Sequence, residues 1–167
     1  MTILPDVLAP GLKIVFCGTA AGTASARARA YYAGPGNRFW DMLFETALTP
    51  KRLEPAQFQD VIGYGIGLTD VVKTASGSDA SLPSQSFDPD RLRTRILELK
   101  PGILAFNGKR SAQSFLDVSK VEYGPQATQL GSTALFVLPS TSGAARGFWQ
   151  PRYWHELAER VRSEAQR

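Results

Sequence analysis

The sequence predicts an α/β fold, a single-domain α/β/α sandwich around a mostly parallel central sheet. Apolar runs typical of buried parallel strands, such as Leu12–Cys17 and Gly102–Phe106, alternate with segments of helical spacing. Several of these runs end abruptly in loops rich in glycine or serine. A chain of 167 residues with 43% hydrophobic content can bury a substantial core. We therefore expect one domain over residues 1–167.

The strand predictions follow from short apolar runs bounded by turn residues. They cover Leu12–Cys17, Gly65–Lys73, Gly102–Phe106 and a hairpin in which Ala127–Leu130 and Leu135–Leu138 flank Gly131-Ser132. Ligands of open α/β sheets bind beyond the carboxyl ends of the strands. We therefore expect four loops to converge on one site: Gly18–Gly22, Thr69–Lys73, Asn107–Lys109 and Ser140–Arg146.

Helices are predicted where apolar residues recur at three- and four-residue spacing. They cover Arg38–Phe44 (capped by Asn37 or Gly36), Pro55–Gly63, a segment that begins near Asp88 or Asp90 and ends before Pro101, Ser111–Phe115, and Tyr153–Arg162. The alanine-rich Thr23–Ala30 has no strong apolar face and is predicted to be a loop over the ligand pocket. Ala75–Pro89 contains five serines and is predicted to be an exposed loop.

Asp70 is the strongest candidate among the acidic residues for a catalytic role, because it lies at the end of an apolar strand, at the sheet edge where the loops should meet. A partly buried carboxylate there could activate water or stabilise positive charge. It could equally cap a helix or form a salt bridge with Lys73. His155, beside Trp154 in the last predicted helix, is interpreted as a structural or surface histidine.

The glycine and serine loops admit both binding and structural interpretations. Gly18–Gly22 could approach a phosphate or a base, but it lacks the Gly-Lys-Ser/Thr ending of a nucleotide-triphosphate loop and could be a simple turn. Tyr31 and Tyr32 could stack on a planar ligand or pack in the core. Ser140–Gly143 could donate hydrogen bonds to a phosphate or form an ordinary turn.

Composition narrows the chemistry further. One cysteine and one histidine exclude an intramolecular disulfide, a cysteine zinc site and an iron–sulfur cluster, and we expect neither metal nor cofactor. No apolar run approaches a membrane span, and no signal peptide is recognised, so we expect a cytoplasmic protein, and a monomer. The net charge of +4 and pI near 9.4 are compatible with a polyanionic partner.

Four segments, in order, resemble the uracil-DNA glycosylase superfamily, and within it the mismatch-specific uracil/thymine branch. The most specific is Tyr32–Trp40 (YAGPGNRFW), which is similar to that branch's aromatic-(Ala/Pro)-Gly-Pro-Gly-Asn-x-Phe-Trp signature. Gly65–Lys73, Gly108-Lys109 and Ser140–Arg146 are similar to its later segments. The resemblance covers about Leu8 to Leu157. It implies a uracil-DNA glycosylase-like fold and a metal-independent enzyme that flips uracil, or a related damaged base, out of DNA and hydrolyses its N-glycosidic bond.

The resemblance also implies site residues by position. Tyr32 would stack on the flipped base, and the rest of the base pocket would comprise Thr19, Ala20, Gly22 and Asn37. The implied DNA contacts are Lys109, Ser140, Ser142, Gly143, Ala144 (at the position of the wedge that fills the vacated base stack) and Arg146.

This chain departs from the branch in its first motif. The branch usually carries an asparagine that holds the attacking water, and here that position is Ala20. We therefore expect Asp70 to take over water activation. The alternatives are a DNA-damage or abasic-site binder on the same fold, a lyase that uses Lys73 as an imine-forming amine, and a nucleotide-binding α/β protein unrelated to DNA.

Overall fold

The computed structural model describes residues 2–165 and contains five strands and five α-helices. The strands are β1 (Ile14–Gly18), β2 (Ile66–Asp70), β3 (Ile103–Asn107), β4 (Gly124–Leu130) and β5 (Thr133–Leu138). The α-helices are α1 (Thr23–Ala28), α2 (Phe39–Glu45), α3 (Pro89–Leu99), α4 (Lys109–Leu116) and α5 (Arg152–Ala165). Four 3₁₀ segments cover Pro55–Tyr64, Asp79–Ser81, Ser84–Ser86 and Gly143–Phe148.

The five strands form one sheet in the order β2-β1-β3-β5-β4. The β1–β2, β1–β3 and β3–β5 pairs are parallel, and only β4 runs antiparallel to β5, across the predicted hairpin. The predicted α/β fold with a mostly parallel sheet is therefore confirmed. Because β1, β2, β3 and β5 are parallel to one another, their carboxyl ends share one edge of the sheet.

Both faces of the sheet are covered, which explains why the central strands are almost entirely apolar. On β1, Ile14 and Phe16 join a core formed with α2, the segment Pro55–Tyr64 and α5, whereas Val15 and Cys17 join a second core beneath α3 and α4. Successive strand residues point to opposite faces. The result is the three-layer α/β/α arrangement that the alternation of elements predicted.

One predicted element was wrong in kind. Thr23–Ala30, expected as a loop, forms α1 over Thr23–Ala28, because its alanines favour helix and its one buried polar residue, Ser25, accepts a hydrogen bond from the Ala33 N–H at 3.0 Å. The helix predicted over Pro55–Gly63 is present as a 3₁₀ helix over Pro55–Tyr64, with Phe58 and Val61 buried.

Some boundaries also moved. The helix predicted to be capped by Asn37 or Gly36 begins after Arg38, although Asn37 still accepts a hydrogen bond from the Phe39 N–H at 3.0 Å. The predicted strand Gly65–Lys73 ends at Asp70. Ala75–Pro89 is irregular apart from two single 3₁₀ turns, and its first part docks on the loop after β1 through a hydrogen bond from the Gly77 N–H to Ala21 at 2.9 Å.

Candidate active site

A cleft of about 630 Å³ lies beyond the carboxyl edge of the sheet. Residues that follow β1, β2, β3 and β5 all line it, as the strand-end rule predicted. From the loop Thr69–Lys73, however, only Asp70 reaches the cleft.

Most of the residues proposed from the sequence lie together in this cleft. Its lining includes Asp70, the five predicted base-pocket residues and five of the six predicted DNA contacts, namely Thr19, Ala20, Gly22, Tyr32, Asn37, Lys109, Ser140, Ser142, Gly143 and Ala144. Arg146 is exposed and outside the lining, with its guanidinium beside Gly36.

Asp70 ends β2 directly opposite Gly18, the last residue of β1. It is 3% exposed, and burial raises the pKa of its carboxyl to about 6, although Lys73 opposes the rise. No hydrogen bond between this carboxylate and another side chain is found among residues 2–165, which leaves its oxygens free to bind water. A carboxyl with a pKa near neutrality is suited to general-base work.

Gly18 leaves the room that the acid needs. A Cβ on Gly18 would lie 2.7 Å from Asp70 Oδ1 and 3.2 Å from the Tyr32 hydroxyl oxygen. The Asp70 carboxylate and the Tyr32 hydroxyl therefore both lie close to the Gly18 backbone, in space that a side chain on residue 18 would occupy. The Tyr32 hydroxyl is buried and has no hydrogen-bond partner among the described residues.

Tyr32 is held in a demanding conformation. Its φ is +53°, in the left-handed region that residues other than glycine seldom adopt. Its ring stacks on Phe39 with centroids 4.0 Å apart and an interplanar angle of 25°. A base in the cleft can therefore stack only on the opposite face of the ring.

Asn107, at the end of β3, braces the loop that follows β5. Its amide nitrogen donates to Thr141 Oγ1 at 2.9 Å, and its amide oxygen accepts from the Thr141 N–H at 3.1 Å. The Arg38 N–H donates to the Thr141 carbonyl at 2.9 Å. These bonds fix the serine loop between β3 and the start of α2.

The serine hydroxyls stabilise this loop and keep donor capacity. Ser140 Oγ accepts from the Ser142 N–H, and Ser142 Oγ accepts from the Ala144 N–H, each at 3.2 Å. Each hydroxyl retains its own O–H, which can donate to a phosphate oxygen. Lys109 lies over the Tyr123 ring, with Nζ 4.4 Å from its centroid.

The sequence did not indicate three side chains of the cleft as candidate site residues, namely Asn107, Asp79 and Phe148. Asn107 ends a predicted strand, so the strand-end rule could have found it. Asp79 lines the cleft and belongs to the serine-rich segment, where no pattern marks it. Phe148, 70% exposed at the end of the segment Gly143–Phe148, lines the cleft and has no periodic context.

Lys73 does not line the cleft. Its Nζ lies 3.0 Å from Asp6 Oδ1 and donates to the Tyr31 hydroxyl at 3.1 Å, whereas Asp70 Oδ2 is 3.9 Å away. An imine-forming amine must be neutral and must reach the sugar. The position of Lys73 offers no support for the lyase alternative.

Asp70→Asn is expected to stabilise the protein at neutral pH. Folding raises the pKa of Asp70 from 3.8 to about 6, so the stabilisation from the protonated carboxyl is fully present below about pH 4 and is lost as pH rises through 6. Asparagine mimics the protonated form at every pH. The variant's free energy of unfolding should exceed that of the wild type by roughly 1–3 kcal/mol at pH 7.5 and match it near pH 4. Thermal unfolding at both pH values measures this, and an equal difference at the two would contradict it.

A family model for the uracil DNA glycosylase superfamily matches residues 5–159, which is nearly the whole chain. The chain belongs to the uracil DNA glycosylase superfamily. Members of this superfamily are typically N-glycosylase hydrolases that act on DNA. The solution NMR structure of a candidate uracil DNA glycosylase from Methanosarcina acetivorans has the same fold, with a TM-score of 0.65 at 21% identity. The match covers 95% of this chain and 96% of that one.

Two kinds of feature were sought among residues 2–165: a cluster of metal ligands and a membrane-spanning helix. Within that range, no group of three or more histidine, cysteine, aspartate or glutamate residues is arranged to hold a metal ion. None of the helices in the same range combines the length and the apolar character needed to cross a membrane.

Proposed function

We propose that this protein is a monofunctional DNA glycosylase that hydrolyses the N-glycosidic bond of uracil, and of related deaminated bases, in DNA. Within the superfamily we assign it to the mismatch-specific uracil/thymine branch, on the strength of the segment Tyr32–Trp40. The observation that carries the proposal is the buried Asp70 carboxylate in the lining of a cleft at the carboxyl ends of four strands.

In the proposed reaction the target nucleotide leaves the helix and its base enters the cleft against Tyr32. Water held by the Asp70 carboxylate attacks C1′ as the bond from C1′ to the base nitrogen breaks. The electron pair of that bond leaves with the base, and Asp70 accepts the proton of the water. Backbone N–H groups of the loop Gly18–Gly22 would stabilise the negative charge on the departing base.

The loss of the first-motif asparagine is compatible with catalysis on this geometry. Ala20 lines the cleft but can neither orient nor deprotonate water. Asp70 lies across the β1–β2 pair, in register with Gly18, two residues before Ala20. The carboxylate therefore lies at the end of the strand next to the one that precedes the first motif, and it can accept a proton.

The decisive experiment measures base release from an oligonucleotide with a single uracil. Wild-type protein should release free uracil and leave an alkali-labile abasic site on single-stranded, U:G or U:A substrate. The runner-up function, a damage or abasic-site binder, predicts a shift in mobility of the same oligonucleotide without release. Retention without cleavage at a large excess of protein would therefore overturn the proposal.

We further propose that Phe148 enters the vacated base stack during flipping. Apolar side chains that insert between base steps stabilise unstacked DNA, and Phe148 offers a larger apolar surface than Ala144, the position that the resemblance implies. Both residues are exposed and line the cleft. The cationic Arg146 lies between them in the sequence, where it could neutralise a phosphate.

Phe148→Ala should lower uracil release from duplex DNA by about tenfold, because roughly 1–2 kcal/mol of stacking is lost when the base is extruded. Release from single-stranded DNA, which requires little unstacking, should change by less than about threefold. Phe44→Ala is the matched control, since Phe44 is 43% exposed and lies outside the cleft lining. Equal losses on both substrates would show that Phe148 does not act in duplex opening.

A further inference from the structure

Lys73 and Asp6 form a partly buried ion pair beside Asp70, outside the lining of the candidate active site. Lys73 Nζ is 3.0 Å from Asp6 Oδ1, and both side chains line a second, open cleft of about 840 Å³. Arg91 reaches the same carboxylate, with Nη1 2.9 Å from Asp6 Oδ2, and its Nη2 donates to the Asp70 carbonyl at 3.0 Å. Thr69 Oγ1 also donates to Asp6, at 2.7 Å.

The reaction as proposed does not use this pair, and stability does not account for it well. Burying an ion pair costs desolvation that the mutual attraction often fails to repay. The side chain of Lys73 is 9% exposed and that of Asp6 is 19% exposed, so both lose much of their hydration. Both act on Asp70: its Oδ2 is 3.9 Å from Lys73 Nζ, and the charge of Asp6 disfavours its ionisation.

The 3.9 Å separation is too long for a hydrogen bond, so Lys73 acts on Asp70 through its charge. An ammonium at this distance favours the ionised carboxylate. Asp6 acts in the opposite sense: its own negative charge disfavours ionisation of Asp70, and it holds the ammonium at 3.0 Å on the far side. The two members of the pair therefore bias Asp70 in opposite directions.

We propose that the Asp6–Lys73 ion pair sets the ionised fraction of Asp70 near neutral pH, and that Asp6 and Lys73 are positioning residues which affect the attacking water only through Asp70. The effect of the pair on base release rests on the proposed function, whereas its effect on the ionisation of Asp70 is independent of that function.

Burial is the largest influence on the pKa of Asp70, and Lys73 and Asp6 are the largest among the charged groups. Arg91 carries a fixed positive charge from α3 and favours ionised Asp70. Burial raises the pKa values of the nearby Cys17, Tyr31 and Tyr32, so all three are neutral in the working range. Burial alone would also raise the pKa of Asp6, but Lys73, the Thr69 hydroxyl and Arg91 together lower it. Asp6 is therefore ionised wherever Asp70 titrates.

The test is direct titration of Asp70 by NMR in protein labelled at the aspartate side-chain carboxyl carbon, with the signal assigned by its loss in Asp70→Asn. Lys73→Met should move the titration midpoint up by about one pH unit, and Asp6→Asn should move it down by about one. Lys73→Arg, which restores the charge, should return the midpoint towards the wild-type value. Asp90→Asn, in the exposed Asp90–Arg93 pair of α3, is the control and should leave the midpoint unchanged.

The same variants should shift the pH at which base release reaches half its maximum rate. Lys73→Met should raise this pH, and Asp6→Asn should lower it. A midpoint shift of one unit changes the ionised fraction about fivefold at the pH of the lower of the two midpoints. Asp6→Asn should therefore release base about fivefold faster than wild type near pH 5, and Lys73→Met about fivefold more slowly near pH 6. A purely structural role would lower the rate at every pH without shifting the pH of half-maximal rate.

The outcomes distinguish the two proposals. Midpoints that do not move, or that move in the same direction in both variants, overturn the inference. If Lys73→Met fails to fold, the comparison of Asp6→Asn with Lys73→Arg still tests the inference. Asp6→Asn should shift the midpoint, and Lys73→Arg should not. Opposite shifts in protein that releases no base would leave the inference standing and defeat the proposed function.

Discussion

Asp70→Asn is expected to lower the single-turnover rate of uracil release by roughly 10²–10⁴-fold. Asparagine keeps the size of the side chain and can hydrogen-bond a water molecule, but it cannot accept the proton that the water loses on attack. Because the variant should also be more stable than wild type at neutral pH, a loss of rate could not be attributed to unfolding. Quenched time courses with a uracil-containing oligonucleotide and enzyme in excess measure the effect.

The assignment of Asp70 as the general base also predicts how the wild-type rate depends on pH. Only ionised Asp70 can act as a base, and burial raises its pKa to about 6. The rate should therefore rise with pH through a midpoint near 6 and level off above it. In Asp70→Asn, the residual rate should lack this limb.

Asp79 is the competing carboxylate, since it also lines the cleft. It is exposed, and it belongs to the segment after β2 rather than to the strand end. If Asp79→Asn caused the large loss and Asp70→Asn retained the full rate, the assignment of the base to Asp70 would be wrong.

The sequence was sufficient for the parts of this molecule that depend on local patterns. Apolar runs located β1 and β3, and the Gly131-Ser132 turn located the β4–β5 hairpin, because strand burial and turn chemistry act over a few residues. The strand-end rule then brought the loops after four strands to one cleft, and Asp70 with them. These steps need no knowledge of contacts between distant residues.

The parts that were missed depend on distant contacts or on weak local preference. Lys73 was considered as a partner for Asp70, its neighbour in sequence, but its closest carboxylate is Asp6, 67 positions earlier in the chain. Nothing in the pattern around either residue indicates that pairing. The helix α1 was missed because its stability comes from alanine propensity and from the buried Ser25, not from an apolar face.

Gly18→Ala is expected to lower the rate of base release by about 100-fold, because displacing a catalytic group by a fraction of an ångström to an ångström disrupts the reacting geometry. The φ of Gly18 is not positive, so alanine fits the backbone. Its Cβ, however, would lie 2.7 Å from Asp70 Oδ1, closer than any real contact allows. The carboxylate must therefore move, and its displacement also shifts the water that it is proposed to hold.

Gly63→Ala is the control for the loss of a glycine, since a Cβ there would meet nothing within 4 Å and Gly63 lies outside the cleft. Its rate should stay within about twofold of wild type. If Gly18 matters because of Asp70, the two losses must not add: Gly18→Ala combined with Asp70→Asn should be little slower than Asp70→Asn alone. A fully multiplicative loss would mean that Gly18 acts on the base or the DNA backbone independently of the carboxylate, and that the space beside β1 serves the substrate rather than the acid.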